Sequence, residues 1–156
     1  MAVAPLHIFV KITDPSGREW NVETTDGANA MRTDWYRQKF VISDRAVESG
    51  IYLRKLSPQE TAALLANVVV EKLVADGRYE EAVDAAREIL AASPRDVHAL
   101  LQLGNAYGRM VESEFTSRYP TPAAIPPALK PRWQMLIEAN RKAFADAEAL
   151  GWTPAP

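Results

Sequence analysis

The chain offers two histidines, twenty acidic residues and no cysteine as raw material for chemistry. An imidazole exchanges protons near neutral pH, and it becomes a directed base when an acceptor holds one of its ring nitrogens. His7 opens the run His7-Ile8-Phe9-Val10-Lys11-Ile12-Thr13, and Glu23 lies near the end of Arg18-Glu19-Trp20-Asn21-Val22-Glu23-Thr24. If the two runs pair as strands, His7 and Glu23 fall diagonally across them on one face, within reach of a hydrogen bond. Without cysteine the chain can supply no disulfide, thiolate metal site or thiol nucleophile. His98 lies between Val97 and Ala99 in a helical stretch, with no ligand three or four residues away, and is read as surface. Two histidines so far apart, without carboxylates converging on either, predict no metal site, and no glycine-rich loop is present to cradle a phosphate. No cofactor is expected. Glu80, Glu81, Asp84 and Glu88 read as a solvated helix face, and Trp35, Tyr36 and Phe40 as core.

The elements that must position the pair are legible in the turn between the runs. In Asp14-Pro15-Ser16-Gly17, Pro15 suits the second position of a type I turn and Gly17 the left-handed position after it. That is a three-residue hairpin loop with a glycine bulge. It pairs Asp14 with Arg18, Ile12 with Trp20, Val10 with Val22 and Ile8 with Thr24. One face then reads Ile8, Val10, Ile12, Trp20, Val22, and the other carries His7, Phe9 and Glu23. A four-residue loop would scatter the apolar side chains over both faces. Around the hairpin, residues 1–5 read as a frayed lead-in and residues 26–32 as loop. Thr33 is expected to cap a helix through Phe40 and Ser43 another through Glu48, with Gly50 beyond it. Ile51–Leu56 reads as a short strand.

The composition changes at Ser57. Ser57-Pro58-Gln59-Glu60 is a capping box with proline at the first helical position. The helix it starts should run to residue 75 or 76 and stop at Gly77, with Leu64, Leu65, Val68, Val69 and Leu73 recurring at helical spacing. A second helix is predicted over 78–92. A third, capped by Ser93-Pro94, runs past Tyr107. Residues 119–131 are too rich in proline for regular helix. A last helix spans about 131–150, with Trp133 and Trp152 as anchors. The expected fold is α+β and mostly α, in two domains: residues 1–56, a β-hairpin with short helices, packed on residues 57–156, an antiparallel helical array.

Apolar residues make up 47 % of the chain, enough for a packed core, and the net charge of −2 argues against a nucleic-acid partner. No signal-peptide layout or membrane-length apolar run is present, so a soluble, cytoplasmic protein is expected. An exported protein whose signal has been removed is the alternative.

Two resemblances add to this reading. Gly77-Arg78-Tyr79-Glu80-Glu81-Ala82, Ala86, Leu90 and Pro94, followed by Leu100, Leu103-Gly104 and Tyr107, resemble the tetratricopeptide repeat family over residues 63–107. In that pattern Ala82 and Gly104 are close-approach positions between helices, and Tyr79 and Tyr107 fill the groove. Val70 stands where the family has glycine, and the second repeat is interrupted by the proline-rich segment. One good repeat and one broken one are fewer than a free-standing solenoid needs. The resemblance implies a fold that binds a protein or peptide in its concave surface. The second resemblance rests on His7-Ile8-Phe9-Val10, the hairpin, and Trp20-Asn21-Val22-Glu23-Thr24-Thr25. These are similar to the second half of a bacterial transglutaminase-like domain, a relative of papain-type thiol enzymes, over about residues 6–56. It implies a Cys-His-Asp triad with His7 as base and Glu23 as the acid that orients it. Two features depart from the family: Glu23 stands where aspartate is usual, and no cysteine precedes His7.

The first expectation is therefore a protein–protein interaction or scaffold module. The alternative is a C-terminal fragment or degenerate relative of a transglutaminase-like thiol acyltransferase or protease without its nucleophile. As it stands the chain is not expected to be a self-sufficient enzyme. A third reading leaves His7 as an edge-strand residue with an accidental likeness. If a thiol-bearing half is missing, an uncovered hairpin edge should promote self-association.

Overall fold

A computed structural model describes residues 1–25 and 27–154, so Asp26, within the expected 26–32 loop, lies outside the described residues. The described chain is α+β, with a four-stranded antiparallel sheet and six α-helices. It divides into two compact units, Met1–Thr61 with Glu148–Pro156, and Ala62–Ala147. Residues from Glu148 onward thus group with the hairpin unit, and not with the helices before them.

The sheet is a meander of β1 (Ala2–Ala4), β2 (His7–Thr13), β3 (Glu19–Val22) and β4 (Ala30–Met31). The expected hairpin register holds, with Val10 opposite Val22 and Ile12 opposite Trp20. Its turn is fastened by Asp14, whose carboxylate accepts from the Ser16 and Arg18 amides (2.9 and 3.0 Å) and from the Trp20 indole (2.9 Å). Hydrogen bonds from Ser16, then Trp20, pull the Asp14 carboxyl down to about 2. Gly17 takes the left-handed conformation the loop requires, at φ +86°.

Three expectations for the flanking segments need correction. Residues 2–4 are a strand, because Ala2 and Ala4 are small enough to be buried beside Phe9 and pair with β2 in register. The edge of β2 away from β3 is therefore covered by β1, so the bare hairpin edge that a missing thiol-bearing half would leave is not seen there. Within the 26–32 stretch, Ala30–Met31 pairs with Asn21 and Val22. Residues 51–56 form no strand: Leu53 sits at φ +64°, which breaks an extended run, although its amide and that of Leu56 donate to Val3 and Met1 carbonyls.

The buried face of the sheet is not the apolar one. Ile8 and Ile12 are 39 % and 47 % exposed, while Ala2, Ala4, Phe9, Asn21 and Glu23 are buried. The cause is α1 (Thr33–Lys39), whose Tyr36 stacks on Phe9 at 4.1 Å between ring centroids. Thr33 does not cap α1. Its hydroxyl accepts instead from the buried Asn21 amide at 3.1 Å. α2 (Asp44–Glu48) is capped by Ser43 as expected. Ser43, Arg45 and Ser49 also donate to the carbonyls of Gly151, Ala149 and Leu150 at 2.6–2.8 Å. These bonds satisfy backbone acceptors that the end of the last helix leaves open.

The capping box forms reciprocally: Glu60 N donates to Ser57 Oγ (3.1 Å) and Ser57 N to Glu60 Oε2 (2.9 Å). It opens α3 (Pro58–Ala75). The buried stripe of α3 is Ala63, Asn67 and Val70, while Leu65, Val68 and Val69 are exposed, so the expected apolar row is only partly core. α4 (Tyr79–Ala92) and α5 (Val97–Val111) follow, the latter capped by Asp96 and not by Ser93, which closes α4. A π-helical turn (Glu112–Thr116) extends α5, and two 3-10 turns (Pro122–Ala124, Pro127–Leu129) carry the proline-rich stretch, pinned by buried Ile125. α6 (Lys130–Ala149) ends the helical set, with Trp133 packed against the core.

Within the second unit α5 and α6 approach closely at Gly104. A methyl there would lie 2.8 Å from the Phe144 ring, and the Gly104 carbonyl accepts from Asn140 at 2.7 Å. Tyr107 is buried and its hydroxyl accepts from Arg87 at 2.7 Å. Gly104→Ala should therefore cost about 1–3 kcal/mol in urea denaturation through overpacking. Phe144→Leu in that background should recover part of the loss, giving a non-zero coupling in the double-mutant cycle.

Candidate functional site

The hairpin register brings the two predicted residues together. His7, the first residue of β2, places Nε2 2.7 Å from Oε2 of Glu23, the residue following β3. Their side chains are 17 % and 4 % exposed. The Glu23 amide donates to the Asn29 carbonyl at 2.9 Å, which fixes the backbone where the strand ends.

The carboxylate has further partners. Thr25 Oγ1 donates to Oε1 at 3.1 Å, and the Tyr36 hydroxyl lies 3.5 Å from Oε2. Burial raises the Glu23 carboxyl, but hydrogen bonds from His7 and Thr25 and the charge of His7 outweigh it and leave the pKa lowered. Glu23 is therefore an ionised acceptor at neutral pH. Desolvation, helped by the neighbouring Glu23 charge, pushes Tyr36 up to about 12, so its phenol stays protonated and donates. With Oε2 accepting, Nε2 of a neutral His7 carries the proton and Nδ1 carries the lone pair. Nδ1 has no hydrogen-bond partner among the described residues.

The ring is held by aromatics. Phe40 stacks on His7 at 5.4 Å and 22°, Tyr36 lies at 6.1 Å and Phe9 at 6.4 Å. Such packing resists a ring flip that would exchange the two nitrogens. An imidazole locked in one tautomer by a buried carboxylate, with its other nitrogen unpaired, is equipped to take a proton from a nucleophile and return it to a leaving group. Of Trp35, Tyr36 and Phe40, all expected in the core, only Tyr36 is buried while Trp35 and Phe40 are half-buried, and Tyr36 and Phe40 frame this ring. Thr25 appeared only as part of a motif. Carrying the hairpin register three residues past its last pair, Val10 with Val22, would have set Thr25 across from His7.

His98 is not a bare surface residue. Its Nε2 lies 2.7 Å from Glu71 Oε1, joining α5 to α3, and both side chains are about a third or more exposed. The spacing rule missed this bond because the partner is distant in sequence. Among the described residues no three side chains of metal-binding type converge. No helix of the described residues is long and apolar enough to cross a membrane. Comparison with family models, curated proteins and solved structures finds no match to this chain.

Glu23→Gln removes the charge and cannot accept from His7 and Thr25 together. It should destabilise the chain by about 1–3 kcal/mol at pH 7. The Glu23 carboxyl sits below its ordinary 4.5, so its contribution is present above that value and is lost as pH falls through the lowered one. The gap between wild type and Glu23→Gln in chemical denaturation should accordingly narrow as the pH is taken below 4.5.

Proposed function

We propose that the first unit is the base-bearing half of a thiol acyl-transfer site of the transglutaminase-like, papain-related kind. His7 is the general base, Glu23 orients it, and the nucleophilic thiol comes from polypeptide other than these 156 residues. The 2.7 Å bond between His7 Nε2 and Glu23, with Nδ1 unpaired among the described residues, carries this reading. In the step this geometry suits, Nδ1 takes the thiol proton and the thiolate attacks an acyl carbonyl. The tetrahedral adduct collapses to a thioester while imidazolium returns the proton to the leaving amine. Water or a second amine, deprotonated by the same nitrogen, then releases the acyl group. The chain alone lacks the nucleophile and performs none of this by itself. A cytoplasmic location belongs to the same proposal, since a catalytic thiol stays reduced there.

The test begins with the genomic DNA upstream of the Met1 codon. The expected result is an in-frame extension with a cysteine on a predicted helix, whose product transfers or hydrolyses amide acyl groups. His7→Ala should then lower the rate by about two to four orders of magnitude. A stop codon close upstream, or an extended protein indifferent to His7→Ala, overturns the proposal.

A second reading concerns the other unit, and the exposed row Leu65, Val68 and Val69 on α3 favours it. In this reading the tetratricopeptide-like helices dock a protein or peptide partner, which three adjacent apolar side chains suit better than a nucleic acid or a membrane. Val68 is 64 % exposed, so Val68→Glu should leave stability within about 0.5 kcal/mol while abolishing retention of any polypeptide that copurifies with the wild-type chain from its own host. Unchanged retention would count against this docking face.

A further inference from the structure

Resting on the reading of His7 and Glu23 as a base and its orienting acid, we propose that Thr25 is a positioning residue: its hydroxyl anchors the Glu23 carboxylate so that Oε2 faces His7 Nε2 and the unpaired Nδ1 is the nitrogen offered for catalysis. The need for such an anchor follows from the acid's length. Glutamate carries one more methylene, and one more rotatable bond, than aspartate. A longer arm can deliver its carboxylate to the imidazole only by giving up more side-chain freedom. Without the Thr25 hydroxyl the carboxylate has no side-chain donor on its Oε1 side and can swing out of line with His7 Nε2.

The structure removes that freedom from both sides of the carboxylate. Thr25 Oγ1 donates to Oε1 at 3.1 Å, and this leaves Oε2 for His7 at 2.7 Å. The Tyr36 hydroxyl, on a fully buried ring, approaches Oε2 from α1 at 3.5 Å. Of these side-chain donors Thr25 is the one on Oε1, so it gives the carboxylate a second anchor that fixes its plane against His7. Thr25 is itself exposed, with no role in the buried aromatic stack. Its hydrogen-bonding groups, the hydroxyl and the backbone amide, and not its packing, are what Glu23 uses, and only the hydroxyl is open to substitution.

The experiment is a long-range ¹H–¹⁵N correlation of the His7 ring in the ¹⁵N-labelled chain, held at a pH where the ring is neutral. Wild type, Thr25→Val and Thr25→Ser are compared, each with a thermal melt. In the wild type the ring should be a single Nε2–H tautomer with a slowly exchanging ring proton. Thr25→Val, close to isosteric but without the hydroxyl, should give a mixture of tautomers and exchange that ring proton with water about tenfold faster, with little change in melting temperature. Thr25→Ser should restore the wild-type spectrum. Wild-type tautomer and exchange in Thr25→Val overturn the positioning role while leaving the His7–Glu23 pair in place as a base and its acid. Failure of Thr25→Ser to restore the spectrum shows a packing effect and overturns it as well. Because no acyl-transfer activity is read, an absent upstream cysteine would defeat the functional reading without touching this result.

Discussion

The stack of Tyr36 on Phe9 is the contact on which the first unit depends. A hairpin with five apolar side chains on one face and a histidine, a phenylalanine and a glutamate on the other would ordinarily turn its apolar face inward. Here a short helix presents two aromatic rings to the opposite face, and a ring pair at 4.1 Å buries large planar surfaces that scattered β-branched residues cannot match. Once that face is inward, His7 and Glu23 are desolvated together. Their hydrogen bond, the lowered Glu23 carboxyl and the restricted imidazole all follow from the choice of face.

How much of this was legible from the residues depends on the range of the interaction. The hairpin register rested on a local turn, and Asp14 with Gly17 encodes it within a few positions. The pairing of His7 with Glu23 came directly from that register. Which face would be buried was not legible, because the deciding residue, Tyr36, belongs to another element. The strand at Ala2–Ala4 was missed for a related reason. Alanines carry little β-propensity, and their fit depends on the size of Phe9 beside them. Likewise Leu53 adopts a backbone conformation that no leucine announces.

The helical unit shows the same division. Its caps are encoded within four residues, and the Ser57–Glu60 box and the stop after residue 75 are where the local chemistry puts them. The close approach at Gly104 is also visible, since a glycine within a helix needs a packing reason, and the Phe144 ring supplies one. The burial of α3 was read less well. Helical spacing alone admits more than one apolar stripe, and Ala63, Asn67 and Val70 occupy the inner one while larger side chains remain outside. Small residues mark the tight interface here, so counting bulk hydrophobicity selects the wrong side.

The buried carboxylate bears on why such a pair is present at all. Taking Glu23 out of water carries a penalty, and the bonds from His7, Thr25 and Tyr36 offset it without turning the site into a clear source of stability. A well-packed apolar pair in the same space would often serve the fold as well or better. Aromatic walls around a single imidazole, hydroxyls on both oxygens of its acid, and a second ring nitrogen without a partner among the described residues are a costly way to stabilise a sheet. They are an economical way to hold a base in one protonation geometry. That contrast, more than any resemblance of motif, is the ground of the proposal made for the first unit. It also separates His7 from His98, whose exposed bond to Glu71 fastens two helices and leaves no oriented nitrogen in an aromatic setting.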